Sequence, residues 1–68
     1  MTFLQFLKKR KREDDTLADR AGEILETGKP DVKKAGLPEW RVHLKATGAS
    51  LSLKRALTKL FGEYEEAA

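Results

Sequence analysis

The segment from Leu53 to Tyr64 constrains the fold more than any other part of the sequence. Its large apolar residues fall at i, i+4, i+7, i+8 and i+11, as Leu53, Leu57, Leu60, Phe61 and Tyr64. This spacing forms one face of an α-helix over about three turns, and the opposite arc is mostly polar or charged. A helix cannot bury its own apolar face, so the rest of the chain must supply elements that cover it.

The size and composition of the chain favour one small folded domain. It has 68 residues, of which 40% are hydrophobic and 37% are charged. Low hydrophobicity combined with a high net charge, which is typical of disorder, is not found here. The sequence contains no cysteine, which excludes disulfides and cysteine-ligated zinc. The formal net charge of +3 favours encounter with anionic partners without identifying one.

Capping residues and terminators predict the helices. Thr2 and Gln5 have capping-box spacing, and Gly28 and Gly48 are placed to end helices. We predict helices over residues 2–11, 16–27, 38–47 and 51–65, with Pro38 opening the third. Residues 30–35 form either one helical turn or an irregular connection, and residues 65–68 are expected to fray. No strand pattern persists, so residues 1–68 are predicted to form a compact all-α bundle of four to five helices.

The predicted core consists of apolar residues that recur at helical spacing. The predicted core residues are Phe3, Leu7, Leu17, Ile24, Trp40, Leu44, Leu53, Leu57, Leu60, Phe61 and Tyr64.

The order of these features resembles a known family. The features are an aromatic-led helix from Thr2 to Leu7, Asp14 and Asp15, Leu17 and Ala18, a central proline, a helix from Trp40 to Leu44, and a helix closing on Phe61, Gly62, Glu63 and Tyr64. In this order and spacing the chain resembles the YozE SAM-like family of small bacterial proteins. The resemblance implies a bundle like a sterile alpha motif domain, a fold used for protein or nucleic-acid contacts, with no catalytic motif. The chain departs from the family at residues 28–32 and at Phe61, where a tryptophan is usual.

Residues that carry chemistry are sparse. His43 is the only histidine, so no histidine cluster can bind zinc, and no local set of partners for a catalytic triad accompanies it. Asp14 and Asp15 stand at a predicted helix start, where capping explains them. We therefore expect no enzymatic activity, no cofactor and no small-molecule substrate. The longest apolar runs are two or three residues, so we expect neither a membrane span nor a signal peptide. The expected location is therefore cytoplasmic.

An unbroken basic run from Lys8 to Arg12 is the best candidate for a binding site. It predicts a surface that contacts nucleic-acid phosphates, with i, i+4 basic pairs on later helices in support. The candidate residues are Lys8, Lys9, Arg10, Lys11, Arg12, Arg41, Lys45, Arg55 and Lys59. The run can equally be a solvated helix end. The alternative function is a protein–protein module, an adaptor or small inhibitor with an apolar patch near Phe3, Phe6 or Leu51.

Overall fold

The computed structural model describes residues 2–32 and 34–67, and these form four helices. The helices are α1 (Phe3–Arg10), α2 (Thr16–Glu26), α3 (Leu37–Ala46) and α4 (Leu51–Ala67). The described residues contain no strand, which confirms the prediction of an all-α bundle. Within them, no helix combines the length and the apolar character needed to span a bilayer.

Side-chain caps fix where the helices begin. The backbone N of Gln5 donates to Oγ1 of Thr2 at 3.2 Å, and the backbone N of Thr2 donates to Oε1 of Gln5 at 2.9 Å. This reciprocal pair is the capping box that the sequence predicts at the start of α1. Helix α4 is capped by Ser50, whose Oγ accepts from the backbone N of Leu53 at 3.2 Å. These caps satisfy amide donors that a helix start leaves without a partner.

Two glycines end helices through a left-handed backbone. Gly28 follows α2 with φ of +90°, and Gly48 follows α3 with φ of +75°. Behind Gly48, the backbone N of Ala49 donates to the carbonyl of Leu44 at 3.0 Å. This is the long hydrogen bond of a Schellman motif. Both glycines therefore stand where the sequence places helix terminators.

The structure differs from the predicted helices at two places. Helix α3 begins at Leu37, so Pro38 is its second residue rather than its first. Helix α4 continues to Ala67, beyond the residue where the sequence predicts fraying. Between Pro30 and Gly36 the described residues are bends and irregular backbone, which is the second of the two alternatives for this segment. Lys33 lies outside the described residues.

Phe3 stands at the centre of an aromatic cluster that joins three helices. Its ring centroid lies 4.6 Å from that of Phe61, 5.2 Å from that of Trp40 and 5.5 Å from that of Tyr64. The rings of Trp40 and Tyr64 meet it edge to face, a geometry that aromatic quadrupoles favour. The first helix is thereby anchored on α3 and α4.

The buried core extends from this cluster along α4, which packs against each of the other three helices. All predicted core residues are buried except Leu17 and Tyr64, which are partly buried and pack against the core. Three small residues are also buried, Ala18, Ala21 and Ala56. A short side chain at these positions lets the backbones of α2 and α4 approach closely.

Candidate nucleic-acid interface

Arg10 differs from the other four cations of the basic run because its side chain faces inward. It lies seven residues after Phe3 and three after Leu7, on the buried face of α1. Its side chain is only 11% exposed, and its guanidinium contacts three carboxylates. Nε lies 2.9 Å from Oε1 of Glu63, while Nη1 lies 3.0 Å from Oδ2 of Asp15 and 3.2 Å from Oε2 of Glu13.

These contacts shift the pKa values of Arg10 and Asp15 in opposite directions. The hydrogen bonds to Glu63 and then to Asp15 raise the pKa of Arg10 further above its ordinary value. The pKa of Asp15 is lowered, first by the hydrogen bond from the backbone N of Ala18 and then by the one from Arg10. Asp15 is the N-cap of α2 and accepts from Ala18 at 2.8 Å. Arg10 is therefore a structural cation that connects helices, and we leave it out of the candidate interface.

Three of the remaining cations of the run, Lys8, Lys11 and Arg12, line a groove beside α2, which we call the α1–α2 groove. It encloses about 380 Å³. It is lined by Leu4, Lys8, Lys11, Arg12, Leu25, Gly28 and Lys29. Leu4, Lys8 and Lys11 share one face of α1 because they are spaced at i, i+4 and i+7. The lining residues include four cations and no carboxylate, so the groove attracts anions.

Lys29 is the member of this groove that sequence reasoning missed. It follows Gly28, whose positive φ turns the chain at the end of α2. The sequence signal is the position of a lysine directly after a helix-ending glycine. This signal locates a cation at a chain reversal, but it does not say which helix lies opposite.

A second groove, the α2–α4 groove, is lined by the basic pair of α4, Arg55 and Lys59. It encloses about 480 Å³. It is lined by Thr16, Leu17, Arg20, Leu51, Ser52, Arg55, Ala56 and Lys59. Arg55 and Lys59 were predicted site residues, whereas Arg20 was not. Nη1 of Arg20 also pairs with Oε2 of Glu23 at 2.7 Å.

A row of carboxylates on α2 separates the two grooves. Asp19, Glu23 and Glu26 are exposed and follow the spacing i, i+4 and i+7, which places them in one stripe. At about 100° per residue, Arg20 lies to one side of this acidic stripe and Leu25 to the other. The two basic grooves therefore open on opposite flanks of α2.

The other predicted site residues lie outside both grooves. Lys9, Arg41 and Lys45 are exposed and line neither groove. Nη2 of Arg41 lies 3.5 Å from Oγ1 of Thr58, so this arginine faces α4. The two grooves therefore account for five of the nine predicted cations. Lys8, Lys11 and Arg12 line one groove, and Arg55 and Lys59 line the other.

The exposed apolar residues agree only in part with those expected. Phe3 is buried and Phe6 is partly buried, so neither presents an apolar patch. Leu51, the third expected residue, is 62% exposed. Val32 and Val42 are 54% and 68% exposed, and the sequence analysis did not identify them. Both valines line a shallow depression of about 410 Å³ between α3 and the segment before it.

His43 borders the same depression but is held by its neighbours. Its Nε2 lies 3.1 Å from Oγ1 of Thr27, and the Thr27 hydroxyl donates to the carbonyl of Ile24 at 2.6 Å. Because the hydroxyl proton is already committed, Nε2 is the donor to Thr27. Residues 2–32 and 34–67 contain no group of three or more histidine, aspartate or glutamate side chains arranged to bind a metal.

Comparison of the chain with protein-family models, curated proteins and solved structures finds no match. The resemblance to the YozE SAM-like family stays a hypothesis.

Proposed function

We propose that the protein is a non-enzymatic cytoplasmic binding module that contacts nucleic-acid phosphates through the α1–α2 groove. The observation that carries this proposal is the grouping of Lys8, Lys11, Arg12 and Lys29 around one groove without a lining carboxylate. Phosphate contacts supply most of the affinity in binding that does not depend on sequence.

The charge balance around α1 supports the same groove. Arg10 forms ion pairs with Glu13, Asp15 and Glu63 near the end of the helix. Among the described residues, no carboxylate forms an ion pair with Lys8, Lys11 or Arg12. These three cations are therefore left for an external anion.

The apolar side chains in the groove favour phosphate contact over base stacking. Leu4 and Leu25 are aliphatic, and no aromatic ring lines the groove. Proteins that bind single strands stack bases on aromatic side chains. The expected ligand is therefore the phosphate backbone of a duplex, read with little sequence preference.

Salt-dependent binding to a labelled DNA duplex tests the proposal. Four contacts predict a slope of about −3.6 in the plot of log affinity against log salt, and a dissociation constant of about 1–100 μM at physiological salt. A Lys8→Gln, Lys11→Gln variant should reduce that slope to about −1.8 and weaken binding equally across unrelated sequences.

Arg41→Gln with Lys45→Gln is the matched control, since it removes the same charge outside both grooves. We expect its slope to stay near that of the wild type. Equal losses in the two variants would show diffuse attraction rather than a groove. Absence of binding at low salt, where phosphate contacts are strongest, would refute the proposal.

A further inference from the structure

We infer that the α2–α4 groove binds a different partner, an acidic protein segment that carries aliphatic side chains in a helix. This inference is independent of the proposed function, because it concerns other residues on the opposite flank of α2. It is carried by the combination of an exposed leucine and three cations in one groove.

Leu51 gives the groove its apolar anchor point. It is the first residue of α4, and 62% of it is exposed. It lines the groove together with Leu17, which is partly buried, and Ala56, which is buried. A partner side chain that covers Leu51 would lie in the same groove as the partly buried Leu17. Burial of apolar surface in this way is favourable and does not depend on charge.

The cations of the groove define the polarity of the partner. Arg20, Arg55 and Lys59 line it without a carboxylate, so a complementary segment carries Asp or Glu. The hydroxyls of Thr16 and Ser52 add donors and acceptors beside them. A depression between two helices suits a helical partner that lays its apolar face into the groove. The occupant is therefore an acidic amphipathic helix with aliphatic anchors.

Nucleic acid fits this groove less well than a peptide does. One of its three cations, Arg20, already shares its charge with Glu23 at 2.7 Å, whereas no cation of the α1–α2 groove forms such a pair among the described residues. An exposed leucine adds nothing to phosphate contact, whereas it is the kind of residue that a protein partner covers.

The probe for a test is a fluorescein-labelled helix-forming peptide of about 15 residues, with leucines at i, i+3, i+4 and i+7 and glutamates on its other face. The comparison peptide replaces each leucine by serine and keeps the charge. Anisotropy titrations should show the serine peptide binding at least about tenfold more weakly. Equal affinities would mean charge attraction alone and would overturn the inference.

Variants then locate the binding site. Leu51→Ser should weaken the leucine peptide about tenfold without affecting the fold, because Leu51 is exposed. Arg55→Gln with Lys59→Gln should weaken it and flatten its salt dependence. Lys8→Gln with Lys11→Gln is the control of equal charge and should leave affinity within about twofold. If this control loses more peptide affinity than the Arg55→Gln, Lys59→Gln variant does, the peptide binds in the α1–α2 groove and the inference is overturned.

Two further outcomes would overturn the inference in favour of another occupant. In ¹⁵N-resolved NMR spectra, the peptide should move the amide signals of Arg20, Ser52 and Arg55. If duplex DNA moves them and the peptide does not, the groove binds nucleic acid. If the wild type self-associates and Leu51→Ser abolishes the association, the occupant is a second copy of the chain.

Discussion

Nε of Arg10 donates a 2.9 Å hydrogen bond to Oε1 of Glu63, which lies 53 residues later in the sequence. The same guanidinium reaches Asp15 through Nη1, so one side chain joins the end of α1 to α2 and α4. In a chain of 68 residues the apolar core is thin, and a charged group that links three helices has a large influence on the fold.

Replacement of Arg10 by glutamine should lower the free energy of unfolding by roughly 1–1.5 kcal/mol, because hydrogen bonds to three carboxylates are lost and solvent already screens those carboxylates in part. Urea denaturation followed by circular dichroism measures this change. Lys9→Gln, one position earlier and exposed, is the control and should stay within about 0.5 kcal/mol of the wild type. Similar values for both variants would mean that the Arg10 network does not contribute to stability.

The lowered pKa of Asp15 predicts how stability depends on pH. A carboxyl group with a lower pKa in the folded state stabilises that state above its unfolded pKa of about 3.9, and loses this contribution as pH falls through the folded pKa. Asp15→Asn should therefore be less stable than the wild type at neutral pH. The difference between the two proteins should shrink below about pH 4.

Urea unfolding at a series of pH values gives this difference directly, because groups common to both proteins cancel. Asn keeps an oxygen that can accept from Ala18, so the fold should survive the substitution. A gap between the two proteins that stays constant down to pH 2 would contradict the assignment, since the titration of Asp15 would then contribute nothing.

The inward position of Arg10 is predictable from the helix period, although the basic residues around it conceal it. The basic run from Lys8 to Arg12 suggests a uniformly solvated surface, whereas the helix period places Arg10 on the side of Phe3 and Leu7. Most of the core follows from the same period, because apolar spacing alone identifies buried faces. Residues 30–35 have no such pattern, so the sequence leaves a helical turn and an irregular connection both open, and the backbone of the described residues there is irregular.

The grooves were not predictable in the same way. Lys29 shares a groove with Lys8, and Arg20 shares one with Arg55, only because α2 packs against both α1 and α4. Spacing within one helix determines which residues share a face, but it does not determine which helix lies opposite. The i, i+4 pair of Arg55 and Lys59 was visible in the sequence, whereas its place on the far flank of α2 from Lys8 is a tertiary result.

Leu57→Ala should destabilise the protein by roughly 2–4 kcal/mol, because the leucine is fully buried in the middle of α4 and its removal leaves a cavity. A bundle of this size has a total stability of about 3–5 kcal/mol, so the variant should be largely unfolded at 37 °C. Thermal melting by circular dichroism measures the effect. Thr58→Ala, at the next position and exposed, should change stability by no more than about 0.5 kcal/mol.

Two glycine substitutions should act in opposite directions, because one glycine is helical and the other is left-handed. Gly62 lies within α4, and a Cβ added there meets no atom within 4 Å. Gly62→Ala should therefore raise the free energy of unfolding by about 0.5–1 kcal/mol.

Gly48 also has open space around it, but its φ is +75°. Gly48→Ala should lower stability by about 1 kcal/mol or more, since an L-residue is strained there. Melting both variants beside the wild type tests the backbone argument alone, because neither added methyl group contacts another residue. A loss of stability for Gly62→Ala would mean that the end of α4 is not helical in solution.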